Sequence, residues 1–168
     1  MNTITKFQIL KSRLDIFKHM ININVIDDCM VPFIEHGDIL MIESVKGINL
    51  KVGDIIVALR DDKMVAHRIV KIIKVKNQIK YHAKGDSSYT IDSEVDINNI
   101  LGIVKKIVSI NYENRPKLYS KYNKWIALFS YLEGYFRNVA NLKRSKKSLL
   151  YELAFLIKQR IVKKTWKV

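Results

Sequence analysis

Four short segments hold residue types that can break bonds. The first is Cys29-Met30-Val31-Pro32-Phe33-Ile34, followed by Gly37-Asp38. The second is Val52-Gly53-Asp54 and the third His67-Arg68-Ile69-Val70. The fourth is Lys84-Gly85-Asp86, with Asp92 six residues on and Gly102 later in Leu101-Gly102-Ile103-Val104. Together they offer a nucleophile, an imidazole and two carboxylates. Brought together, a base within hydrogen-bond reach of a nucleophile and an acid orienting that base make the machinery of acyl transfer. Each residue also has an ordinary job. A lone Cys is a small hydrophobe, a strand His a satisfied polar group, and Gly-Asp a turn dipeptide. Asp92 also suits a turn or a cap. Spacing alone leaves both readings open.

The elements that must position these residues come in three textures. Over residues 3–20, Ile4, Phe7, Leu10, Leu14 and Phe17 recur every three or four positions, which predicts one helix. From residue 21 to 108 short β-rich runs alternate with Gly, Asp and Asn turns. Strands are expected at 23–26, 39–42, 54–59, 64–75, 78–83 and 100–110. Beyond Pro116 the helical period returns with Trp125, Leu128, Phe129, Leu132, Tyr135, Phe136, Val139 and Leu142. After a basic break, Lys143-Arg144-Ser145-Lys146-Lys147, a second helix is expected from about Ser148 to Val162. The fold class is mainly β (α+β): a compact antiparallel β domain, coiled or barrel-like, with a helix before it and a helical hairpin after it.

Charge divides the chain at the same place. Residues 1–114 hold 16 Lys/Arg against 14 Asp/Glu, and residues 115–168 hold 14 against only Glu133 and Glu152. The expected division is a β domain with its N-terminal helix, 1–114, and a basic amphipathic hairpin, 115–168, with Arg115-Pro116 between them. That hairpin has two packings open to it. One is against the β domain. The other is in an anionic membrane surface, with Trp125, Tyr131, Tyr135 and Trp166 at headgroup level. A nucleic-acid role is disfavoured, because the cations alternate with a strongly apolar stripe instead of forming one polar face.

The 168 residues, 48% hydrophobic and 27% charged, suit a chain with a real core and exclude a mostly disordered one. A single cysteine excludes an internal disulfide and a cysteine-rich zinc site. The apolar runs at 125–132 and 149–157 fall short of the roughly 18–20 residues of a spanning helix. Charges scattered through residues 1–20 speak against a signal peptide.

Taken in order, the four segments resemble the signal peptidase I-like superfamily of serine proteases, which includes the self-cleaving repressor proteases. That family reads Ser-Met-x-Pro, a Gly-Asp pair, Val-Gly-Asp, a Lys or His on a following strand, and Lys-Gly-Asp…Asp; the likeness covers roughly residues 25–108. His67 stands at the base position, as in the archaeal and endoplasmic-reticulum type, and Cys29 stands where Ser is expected. The Pro32-Phe33-Ile34 continuation looks most like short relatives associated with modified-peptide gene clusters. The resemblance implies that Cys29 attacks a peptide carbonyl, His67 shuttles the proton, and Asp86 or Asp92 orients the imidazole. Backbone N–H groups near Cys29 would form the oxyanion hole, Met30 would pack beneath the nucleophile and Pro32 would fix the chain leaving it. An imidazolium beside Cys29 would lower its pKa.

The implied partner is a peptide or protein substrate, a leader or signal peptide with small side chains near the cut, held on a strand edge. No metal or organic cofactor is called for. The rival reading is a peptide-binding relative that keeps the groove and has lost turnover with Cys in place of Ser. A repressor-like regulator would need a helix-turn-helix, and residues 1–26 hold one helix. The expected location is cytoplasmic, with peripheral contact at the inner membrane face through residues 117–168 as the alternative.

Overall fold

The computed structural model describes residues 2–17, 19–76, 78–109, 121–139 and 149–165. Helix α1 (Thr3–Phe17) opens on Asn2, whose side-chain oxygen accepts the Thr5 N–H at 2.8 Å. It buries Phe7 and Leu14. Its charged side chains, scattered in the sequence, fasten it down: Lys11 donates to the carbonyls of Ile97 and Ile100, and Asp15 takes the Ser44 hydroxyl.

The β strands follow: β1 (Ile21–Asn24), β2 (Ile39–Glu43), β3 (Ile55–Arg60), β4 (Lys63–Val75), β5 (Gln78–Lys84), β6 (Val95–Asp96) and β7 (Ile100–Val108), with a 3₁₀ turn at Ile97–Asn99 before β7. They form one seven-stranded antiparallel sheet in the order β1-β2-β7-β3-β4-β5-β6. Five of the expected strands overlap these closely. The first lies two residues earlier than expected: pairing becomes irregular at Val25, which donates to the Asp38 carbonyl while its own carbonyl takes the Gly37 N–H, and Ile26 is 81% exposed. The two-residue β6 is too short to show a period of two. The helix expected to run to residue 20 ends at Phe17 in α1.

Both faces of the sheet are covered. Alternate residues of β3 belong to different cores: Ile55 and Val57 pack with Phe7, Leu14, Met30, Phe33 and Leu101, while Ile56 and Ala58 pack with Leu50, Ile69, Tyr81 and Ile103. This accounts for the unbroken apolar run in β3.

Helices α2 (Asn123–Val139) and α3 (Leu149–Thr165) pack on each other, and α2 packs on β4. The expected boundary at Arg115-Pro116, the basic break at 143–147 and Trp166 lie outside the described residues. Of the two packings open to the hairpin, the one against the β domain is present. Gly53, with φ +100°, lets the chain turn beneath the start of α2; a β-carbon there would sit 3.1 Å from the Asn123 backbone. The anchor is ionic. Lys84 of β5 meets Glu133 of α2 at 3.3 Å, and Lys158 of α3 meets the same carboxylate oxygen at 2.7 Å. All three are buried, at 0%, 3% and 4% exposure. Among the described residues no helix is long and apolar enough to cross a membrane.

Burial, then the neighbouring Lys158, pulls the Lys84 pKa down from its usual 10.5 to about 8, against the pull of Glu133 and Asp86. The unfolded chain therefore binds more protons through this group between those two values, so its charging cost is full below pH 8 and relieved as pH rises toward 10.5. Thermal melts from about pH 7 to about pH 10 should show the midpoint of the natural protein rising relative to that of Lys84→Met. Parallel curves would refute this assignment.

Candidate active site

Strand β4 carries two side chains on which the site is built. Its register sets His67 opposite Ile56 and Arg68 opposite Ile55, so these neighbours point to opposite faces of the sheet. Each finds one of the two carboxylates that the sequence left as alternatives.

Asp92 meets His67. Its backbone N–H bonds the Ala83 carbonyl at 2.9 Å, which seats it beside the end of β5. Its Oδ2 makes a short hydrogen bond with His67 Nδ1, and its Oδ1 takes Arg60 Nη1. A carboxylate only accepts, so Nδ1 is the donor, and in the neutral ring Nε2 keeps the lone pair. That is the tautomer of a general base. His67 and Asp92 are buried, and α2 backs the loop between them: Ile91 sits against Gly134, where a β-carbon would lie 2.5 Å from it.

Asp86 meets Arg68 instead. Arg68 Nε and Nη2 donate to the carboxylate at 2.9 and 2.7 Å, and Nη1 donates to the Gly53 carbonyl at 3.0 Å. The guanidinium also stacks 4.8 Å over the Phe33 ring. Asp86 thus lies in the frame of the site, paired with arginine and not with the imidazole.

The Cys29 loop is tied to the loop after β5. Ser87 N–H donates to the Cys29 carbonyl at 3.0 Å, Ser87 Oγ to the Asp28 carbonyl at 2.7 Å, and Asp86 N–H to Met30 Sδ at 3.4 Å. Met30 is buried beneath the loop, and the bond from Val31 to Pro32 is cis. Gly85 lies between the two loops and the imidazole. A β-carbon on it would stand 2.4 Å from Ser88 Oγ, 2.6 Å from the Cys29 carbonyl oxygen and 3.1 Å from His67 Nε2. Its backbone is not left-handed, so glycine is required here for space. Beside these loops and the hairpin is a cavity of about 290 Å³, lined among others by Pro32, Ser87, Ser88, Ile126, Tyr151 and Lys158.

Cys29 is half-buried. Its thiol donates to the carbonyl of Ala66, next to His67, at 3.7 Å. Its amide N–H, a candidate oxyanion donor, donates to Asp27 Oδ1 at 3.3 Å. Burial pushes the thiol pKa well up, and the hydrogen bond and charge of Asp27, then the charges of Asp92 and Asp86, push it further. The expected lowering is therefore reversed, because the sulfur is partly buried and the charges acting on it are carboxylates.

Several residues of this site carried no sequence motif. Asp27 is an acid two residues before a residue whose N–H it takes, a common local pattern. Arg60 gave no signal. Glu133 did give one: it is one of two acids in the last 54 residues and stands within an apolar stripe. His82 lies 3.7 Å from Glu94 and His36 bonds Asp28 through its backbone, so neither joins the site. Among the described residues, no three His, Cys, Asp or Glu side chains gather closely enough to hold a metal ion. No family model matches the chain, and neither does any curated protein.

Two outcomes follow from this geometry. Iodoacetamide alkylation of Cys29 should be slow at neutral pH and still climbing at about pH 9. Asp27→Asn, at an exposed position, should speed it several-fold at fixed pH. A plateau below about pH 8, or no response to Asp27→Asn, would contradict the charge assignment. Gly85→Ala should displace the Cys29 loop or the imidazole; an unchanged His67 ring signal and unchanged alkylation rate would show the space is not needed.

Proposed function

We propose that the chain is a signal-peptidase-like endopeptidase that cuts a leader or signal peptide, with Cys29 as nucleophile, His67 as base and Asp92 as orienting acid. One observation carries the reading: a buried His67–Asp92 pair leaves Nε2 free and facing the Cys29 loop across Gly85. The seven-stranded antiparallel sheet and the ordered motifs are consistent with a signal-peptidase-like fold.

In the reaction the Cys29 thiol leaves the Ala66 carbonyl and turns to Nε2. As sulfur attacks the peptide carbonyl carbon, its proton passes to His67, and Asp92 stabilises the imidazolium. Because the thiol pKa is raised, transfer of that proton accompanies attack; no standing thiolate is used. The oxyanion takes backbone N–H groups near Cys29, which requires Asp27 to release the Cys29 amide. His67 then protonates the leaving amine, and a thioester joins Cys29 to the N-terminal product. Water, deprotonated by His67, hydrolyses the thioester and restores the thiol. Met30 and Pro32 hold the loop, and the cavity of about 290 Å³ beside Ser88 has the volume for a substrate side chain.

A second reading has its own support. The thiol bonded to Ala66 and the Asp27 carboxylate on the Cys29 amide support a relative that binds peptide without turning it over, since both groups are engaged elsewhere.

Peptide-library digestion followed by mass spectrometry separates the two. Cleavage should vanish in Cys29→Ala, and in Asp92→Asn it should fall by about a hundredfold or more as the imidazole loses its tautomer. An acyl-enzyme adduct at Cys29 should be trapped by rapid acid quench. Undiminished cleavage in Cys29→Ala would overturn the assignment, and peptide binding with no cleavage in the natural protein would establish the second reading.

A further inference from the structure

Helix α3 is amphipathic the wrong way round. Its buried residues are Tyr151, Ala154, Lys158, Val162 and Thr165, a stripe at three- and four-residue spacing. The inward face thus includes an ammonium and a hydroxyl. The opposite stripe holds Leu149, Leu153 and Leu156, at 81%, 53% and 57% exposure, and continues into the exposed Arg160, Lys163 and Lys164. Leu150 beside it is 53% exposed. Surface helices ordinarily turn such leucines inward. Here the Glu133–Lys158 pair sets the opposite rotation.

The charges say what fits this face. Three cations follow the leucines, Lys143, Arg144, Lys146 and Lys147 precede them in the sequence, and Glu152 is the one acid on the helix. A second copy docked face to face would bring two sets of cations together with little to neutralise them. A bilayer rich in anionic lipid meets both demands, with acyl chains for the leucines and phosphates for the flanking cations.

We infer that the outward face of α3, Leu149, Leu153 and Leu156 with Arg160, Lys163 and Lys164, docks the protein on an anionic membrane surface. The leucines sit at the acyl boundary with the helix axis in the membrane plane, and the cations lie at headgroup level. The inference goes beyond the protease reading and does not rest on it.

The full chain is sedimented with vesicles of phosphatidylcholine containing about 30% phosphatidylglycerol, and with phosphatidylcholine alone. The natural protein should pellet with the anionic vesicles and only weakly with the neutral ones. The double variants Leu153→Glu/Leu156→Glu and Lys163→Glu/Lys164→Glu should each lose about tenfold or more in partitioning. All four positions are exposed, so melting temperature and Cys29 alkylation should not change. A natural protein that stays in the supernatant would overturn the inference, as would either double variant binding like the natural protein. A dimer in sedimentation velocity that Leu153→Glu/Leu156→Glu dissolves would give the face to a second copy instead. Because alkylation and peptide cleavage are read separately, failure here leaves the Cys29 assignment where its own tests put it.

Discussion

Arg68 and Lys84 are cross-strand partners with no exposed surface, two cations side by side in the interior. Desolvating each ion costs several kcal/mol, and like charges on facing positions add to that. The fold stands only if each finds an anion. Asp86 supplies one for Arg68, and Glu133, shared with Lys158, supplies one for Lys84. These partners come from three further elements: the loop after β5, α2 and α3. Lys158 closes the set by donating to the Asp86 carbonyl at 2.9 Å. Removing one partner from such a set typically costs about 3–5 kcal/mol, because a charge is left buried and alone.

The site inherits its geometry from this neutralisation. With Asp86 held on Arg68, its own N–H reaches Met30 Sδ and the next N–H reaches the Cys29 carbonyl, so the Cys29 loop lies against Gly85. With α2 held by Glu133, Gly134 receives Ile91 and backs the loop that presents Asp92. The adjacent residues His67 and Arg68 divide the two carboxylates by strand alternation: the arginine takes Asp86, the histidine Asp92. The cost falls on the sulfur, which sits partly buried among carboxylates.

Much of the architecture was legible because its signals are local. Period three-to-four marked all three helices, and short β-rich runs between Gly, Asp and Asn turns marked every strand but the two-residue β6. Gly53-Asp54 proved the turn that its dipeptide suggests, with Asp54 Oδ2 accepting the Lys51 N–H at 2.8 Å. Cys29, His67 and Asp92 were visible as residues with the right chemistry. The choice of Asp92 over Asp86 was not, since it depends on which face of β4 each carboxylate reaches after two different loops. Neither was the environment of Cys29, where the charge that acts most on the thiol is that of Asp27, a residue in no motif.

Helix α3 marks the division between what the chain alone determined and what its packing decided. By itself the sequence determined helix, strand and turn, the inventory of reactive groups and the basic bias of the last third. Each follows from neighbours a few residues apart or from simple composition. Tertiary structure decided which carboxylate serves the imidazole, which way the thiol points and which face of α3 turns inward. A leucine-rich stripe would have been placed against the core by periodicity. The contacts of Lys158 turned it outward, because the buried Glu133 carboxylate and the Asp86 carbonyl draw inward an ammonium that a leucine cannot replace.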